Sequence, residues 1–375
     1  MKPFHTKVHI LGATQMAAVD SDQVPGSSQA GLRHRKGPVR WRWLLACALF
    51  AALPARPQTD GSAPARQLRQ SAQRAGVSGD MPSAVAPTAA GESIPFADAH
   101  VHLNDPAMQL ALMERWGASH AVVFWGGRSS NASVADAVRA HPGRLVAFAS
   151  ISPERTAYRP AWERDDARLL QELDALLATG LYKGIGEISA THFPSAGFPE
   201  TDFSPTGPMV TGILDLARKY KVPVMVHVEQ TRMAELSQLL ERFPDVPVIW
   251  AHGGYTPLFL ARRMLQRHPN LIYELSARTW PEHPRSPEYT ILRDGSRVWP
   301  QWLALIEEQP ARFLVGTDAS HRSEASEAMK FASVQNLLRQ LSPAAREKVG
   351  RGNLLGLLGL SGGTVSPMGA RASAR

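Results

Sequence analysis

From residue 95 onward, short runs of apolar residues alternate with longer stretches whose apolar positions recur every three or four residues. The short runs, at 95–102, 119–125, 145–151, 182–188, 223–228, 246–252, 271–275 and 313–318, are predicted strands. The longer stretches, at 106–116, 134–140, 159–177, 212–220, 233–242, 257–267, 299–308 and 324–341, are predicted helices. Such alternation builds a parallel sheet, because a crossover helix carries the chain back to the end at which the next strand must start. Eight units between residues 94 and 361 suit an α/β fold of the (β/α)8 TIM-barrel type, usually about 250 residues long. An open doubly wound sheet is the alternative. A last apolar segment, 353–360, is expected to pack beneath the barrel or close it, and 362–375 reads as a disordered tail.

The first 93 residues lack this pattern. A basic cluster from Arg33 to Arg42 precedes an apolar run, 43–53, and then Pro54 and Ala55, the order of a secretory signal. Its distance from Met1 is unusual, and a start codon assigned too far upstream would account for that. Eleven apolar residues fall short of the roughly 20 a spanning helix needs, so contact with the membrane is expected only during export. Cys47 at the centre of the run suggests a lipid anchor as the lesser alternative. Residues 1–56 thus read as a leader and 57–93, rich in Ala, Ser, Pro and Gln, as a flexible linker.

Charge looks different once divided this way. The whole chain of 375 residues carries 41 Lys and Arg against 33 Asp and Glu, a formal +8 that would suit a nucleic-acid partner. The leader, however, holds eight of the basic residues and two of the acidic ones, leaving 33 against 31 in the remainder. A nearly neutral body disfavours nucleic acid and points to a small-molecule partner. The single cysteine excludes a disulfide framework and a cysteine-built zinc site, and it fits an exported, periplasmic or secreted protein.

Ionisable residues gather at the carboxyl ends of the predicted strands: His100 and His102 on the first, Glu187 on the fourth, His227 on the fifth, His252 on the sixth and Asp318 on the eighth. A barrel collects those ends at one mouth. Within Asp98-Ala99-His100-Val101-His102, alternate side chains share a face, so two imidazoles can approach one point from a rigid strand. Four histidines and two carboxylates form a donor set suited to zinc, with manganese or iron as alternatives, and they exceed the needs of one tetrahedral ion. Each could instead be structural: Glu187 in a buried ion pair, Asp318 as a helix cap.

The ordered set, His-x-His, Glu187 in Gly184-Ile185-Gly186-Glu187-Ile188, His227, His252 in Ala251-His252-Gly253-Gly254, and Asp318 in Val315-Gly316-Thr317-Asp318, resembles the metal-dependent amidohydrolase superfamily. Its amidohydrolase-related and TatD-like branches are the most similar, over about residues 95–361. The resemblance implies a first metal on His100, His102 and Asp318, a second on His227 and His252, and Glu187 as bridge. Single-metal relatives lack that carboxylate, and in them the fifth-strand histidine joins the first metal.

The expected activity is metal-dependent hydrolysis, in which a metal-activated water attacks an amide, ester, lactone or phosphoester bond, with Asp318 and His252 as catalytic groups. A decarboxylase, a TatD-like nuclease and a catalytically inactive exported binding barrel are the alternatives. Arg278 is the candidate for an anionic substrate group, and His192, Trp280, His283 and His321 are candidate substrate contacts in the loops. Oligomeric state is left open.

Overall fold

A computed structural model describes residues 93–194 and 198–360. The leader, the signal-like run, most of the linker and the tail from 361 lie outside the described residues. Within them, the runs of β-branched and small apolar residues form eight parallel strands: β1 (Phe96–Leu103), β2 (Ala118–Trp125), β3 (Leu145–Ala149), β4 (Gly184–His192), β6 (Val224–Val228), β7 (Val248–Trp250), β8 (Leu271–Glu274) and β9 (Phe313–Leu314). Their order is β1-β2-β3-β4-β6-β7-β8-β9, and a two-residue strand, β5 (Thr201–Asp202), pairs antiparallel to β4.

The ring closes between the chain beyond β9 and β1. Ala99 N donates to Val315 O at 3.0 Å, Asp318 N to His100 O at 2.9 Å and His102 N to Ala319 O at 2.8 Å. This is the expected barrel rather than an open sheet.

Two apolar layers follow from the alternation of side chains. The outer layer lies between strands and helices and includes Phe96, Val101, Val226, Trp250 and Tyr273. The inner one fills the barrel with Ala97, Ala99, Phe124, Phe148, Met225 and Ile249. Leu354, on the closing helix Asn353–Leu357, is fully buried in this inner cluster and so plugs the barrel floor.

The predicted helices at 106–116 and 233–242 match Pro106–Trp116 and Met233–Arg242. The helix expected over 159–177 is instead two, Arg159–Glu163 and Arg168–Ala178. Asp165 takes a left-handed φ of 48° between them, and Asp166 accepts from Arg168 N at 3.0 Å, which ends one helix and starts the other. The third strand stops at Ala149 rather than 151, because the Asn131 side chain takes over the pairing of Ser150 N and O. The predicted sixth strand, β7, stops at Trp250 rather than 252, where a left-handed turn begins. No helix among the described residues is long and apolar enough to cross a membrane.

Leu354→Ala is expected to destabilise the fold by about 3 kcal/mol, since it leaves a cavity beneath the inner layer. Urea unfolding checks this, and an unchanged midpoint would show that the plug does not support the barrel.

Candidate metal centre

Strand parity alone does not aim the site residues; local irregularities do. On β1, Ala97 and Ala99 face inward, but a register shift between Asp98 and Val101 changes the phase. His100 and His102 then face the barrel axis while Val101 and Leu103 join the outer layer. Buried Asp98 clamps the shift, accepting from Thr317 Oγ1 at 2.6 Å, Thr317 N at 2.9 Å and His100 N at 3.1 Å. Burial, against these hydrogen bonds, raises its pKa to about 7. A similar shift on β4, between Ile185 and Ile188, turns Glu187 inward. Beyond β7, His252, Gly253, Gly254 and Tyr255 all have φ between 52° and 55°. The left-handed turn swings His252 into the site where simple alternation after Ala251 would send it out. A Cβ on Gly253 would fall within the Tyr273 ring, so only glycine fits there. Asp318, also left-handed at φ 54°, is held by Lys330 Nζ donating to its carbonyl at 2.6 Å.

Three imidazoles are anchored through Nδ1. His100 Nδ1 meets Glu274 Oε2 at 3.2 Å, His102 Nδ1 meets Trp125 O at 3.3 Å, and His252 Nδ1 meets Ser276 O at 3.0 Å. Since each partner accepts, Nδ1 carries a proton and Nε2 is the nitrogen that faces the mouth. His100 Nε2 is buried without a hydrogen-bond partner among the described residues. Around it, Glu187 Oε2 lies 3.5 Å away and Asp318 Oδ1 3.6 Å, while His102 Nε2 is 3.3 Å from Glu187 Oε2 and 3.5 Å from Asp318 Oδ1. His252 Nε2 is 3.8 Å from Glu187 Oε1. Nitrogen lone pairs and carboxylate oxygens converging on an orphaned buried nitrogen are what a divalent cation requires. Among the described residues two triads have this geometry, His100–Glu187–His252 and His100–His102–Asp318.

His227 is different. Its Nδ1 lies 2.9 Å from Glu187 Oε1 and its Nε2 3.3 Å from Glu229 Oε1, so both nitrogens point at carboxylates. Burial lowers its pKa, but the two acids outweigh burial and push it up to about 9. For His252, burial and the nearby His100 and His227 push the pKa well below the usual range. Burial disfavours charge on Glu187, yet the field of His100, with the neighbouring His102 and the hydrogen bond of His227, holds it well below the carboxylate range.

Glu274 was not anticipated from sequence. It is fully buried at the end of β8 and accepts from Ser276 Oγ at 2.8 Å and His252 N at 3.2 Å besides bonding His100. Its parity with inward Ile272 on a predicted strand was the available signal. Gly316 makes room for it, since a Cβ there would lie 2.5 Å from Glu274 Oε1 and 2.8 Å from His100 Cβ. Glu229, two residues beyond His227, and Glu154, which accepts from Ser189 Oγ at 2.7 Å, were likewise passed over.

The site opens into a cavity of about 630 Å³. Of the candidate substrate contacts, His192, Trp280 and His283 line it. Arg278 and His321 do not. Ala277, left-handed at φ 58°, turns Arg278 into the outer layer, where its guanidinium lies 5.2 Å from the Trp302 ring centroid and donates to Thr256 O at 2.9 Å. Arg278 is therefore not placed to clamp a substrate anion in this cavity. His321 ties the β1 exit to the first helix, accepting from Asn104 N at 3.2 Å and pairing with Gln109 Oε1 at 3.0 Å.

A parallel barrel with converging imidazoles and carboxylates at its strand ends defines a class of metal-site barrel enzymes. The model of the amidohydrolase family matches residues 97–360, and the chain belongs to that family. Among curated proteins none matches the sequence. Similar solved structures include a 2,6-dihydroxybenzoate decarboxylase from Rhizobium, 14% identical over 71% of this chain and 100% of that one, TM-score 0.47. A probable 2-pyrone-4,6-dicarboxylic acid hydrolase from Acinetobacter baumannii is 14% identical over 70% and 99%, TM-score 0.47. A zinc-bound amidohydrolase from Burkholderia multivorans is 13% identical over 71% and 99%, TM-score 0.45.

Removing the Glu274 carboxylate frees His100 to rotate, so Glu274→Gln is expected to weaken metal binding about 10- to 100-fold with the fold retained. Competitive chelator titration reads this, and unchanged affinity would refute the anchoring role. The buried cavity histidines also set a pH dependence. Burial lowers His192 to about 3 and His283 to about 4, so the unfolded chain binds more protons than the folded one below about 6.5. Their contribution to stability is complete above that pH and is lost as pH falls towards about 4 for His283 and about 3 for His192. In urea unfolding of the wild type and His283→Asn, the variant is expected to lose less stability between these limits; equal losses would contradict the assignment.

Proposed function

We propose that this chain is a hydrolase dependent on one divalent cation, zinc foremost, acting on an amide, ester, lactone or phosphoester bond of a small molecule. The observation that carries the reading is the buried, unpartnered His100 Nε2 facing Glu187 and Asp318 at the cavity mouth. Both triads include His100, which supports one cation held by His100 and His102 with Asp318, Glu187 or His252 completing the set. When bound, such a cation polarises a carbonyl or phosphoryl oxygen and acidifies water.

The chain's own groups do the rest. Asp318 is the acid of the cluster most open to the cavity, with 21% of its side chain exposed against 5% for Glu187. Its carboxylate takes the proton from the attacking water and passes it to the leaving group. His252 is kept neutral by burial, so it accepts rather than donates at Nε2. His227, wired to Glu187 and Glu229, holds Glu187 in place and offsets its charge. Tyr255, stacked on the His252 ring at 5.2 Å, and Trp280 wall the cavity against water. The leader's basic-apolar-small order supports export of the enzyme.

Purified, reconstituted protein is expected to hold about one metal equivalent, which His100→Ala loses and His227→Gln keeps. Asp318→Asn is expected to cut turnover about 10²- to 10⁴-fold while shifting the melting temperature by only a few degrees. Elemental analysis and a screen of lactones, amides, phosphoesters and aromatic carboxylates check these outcomes. Full activity of Asp318→Asn would remove its proton-transfer role, and carbon dioxide release without hydrolysis would assign a decarboxylase instead.

A further inference from the structure

A second chamber of about 490 Å³ adjoins the metal cavity and shares His102, Glu154, Phe198, Ser320 and Arg322 with it. The two are therefore one continuous space with two lobes. They differ in how their cations are used. In the metal lobe Arg285 is paired with Glu229 at 3.1 Å, and Lys330 lies 3.3 Å from Glu327 while donating to Asp318 O. In the second lobe Arg128, Arg155 and Arg322 all line the wall, and none has a carboxylate within 4.0 Å among the described residues.

These three guanidiniums are positioned by groups that leave donors over. Arg155 stacks 4.0 Å from the Trp125 ring centroid, and its Nη2 donates to Gly126 O at 2.7 Å and to Ser129 O. Arg128 Nη2 donates to His321 O at 3.3 Å. Arg322 lies 5.7 Å from the Phe198 ring centroid, and its side chain makes no hydrogen bond among the described residues. Stacking on an aromatic face fixes the plane of a guanidinium while leaving N–H groups for an anion, and an arginine fork matches a planar or tetrahedral oxyanion. Burial disfavours the charge on Arg155, a cost that an anion would offset.

We infer that this lobe binds an oxyanion of the substrate, a carboxylate or phosphate distinct from the bond that reacts, through Arg155 and Arg322 with Arg128 at its rim. The inference rests on reading the neighbouring lobe as the reaction site, and it gives that site a substrate class: a small molecule with an anionic group at one end and the cleavable bond at the other. The anion-binding role assigned to Arg278 by its place in the sequence passes to these three arginines.

The test uses the full-length protein stripped of metal, so that no probe can bind through a cation. Calorimetric titration compares glutarate with its diamide and phenyl phosphate with phenol. At least one anion is expected to bind about tenfold more tightly than its uncharged counterpart, and the tighter anion names the oxyanion. Arg322→Met and Arg155→Met are each expected to lower that affinity about tenfold. Because Arg155 also holds the 126–129 loop, Arg322→Met carries the test if Arg155→Met unfolds. Equal binding of charged and neutral probes, or binding indifferent to Arg322→Met, overturns the inference. Metal content is measured separately on the same preparations. Failure to bind metal with the oxyanion titration intact removes the hydrolase reading alone, and the reverse result removes the oxyanion lobe alone.

Discussion

The site depends on the closure of the barrel between its first strand and its last. Asp318 N donates to His100 O at 2.9 Å, and buried Asp98 binds Thr317 through both backbone and side chain. These contacts span 218 and 219 positions of chain, and without them the two ends of the ligand set would have no fixed distance. The same contacts hold the phase shift of β1 in place. A single backbone seam therefore sets both the separation of His100 from Asp318 and the direction in which His100 and His102 face.

Around that seam, the histidines are arranged so that their Nε2 atoms meet the carboxylates at the centre. Each of three histidines spends Nδ1 on an acceptor, and one fully buried acceptor, Glu274, serves His100 and the His252 amide together. His227, with carboxylates at both nitrogens, balances charge instead. Identical side chains thus take different roles because of what each ring faces, and burial makes those partners count heavily.

Much of this was legible in the sequence, and the exceptions have local causes. Strand number, order and the polar strand ends followed from periodicity, and His100, His102, Glu187, His252 and Asp318 do meet at one mouth. Glu274 could have been read from its parity with Ile272 but was hidden among apolar neighbours. Arg278 lies away from the cavity because a left-handed Ala277 reverses the side-chain direction at the strand exit. The arginine-lined lobe was not legible, since Arg128, Arg155 and Arg322 come from three separate strand exits.

By itself the sequence determined the repeating strand-helix units, the apolar layers and the concentration of ionisable residues at one end of the barrel. Those are consequences of spacing along the chain, which periodicity expresses directly. Only the tertiary structure decided which nitrogen of each histidine is free, which acids anchor rather than converge, and which arginines remain without an acid. Those outcomes turn on hydrogen-bond partners supplied by distant strands, and on register shifts and left-handed turns that reverse a side chain within one residue.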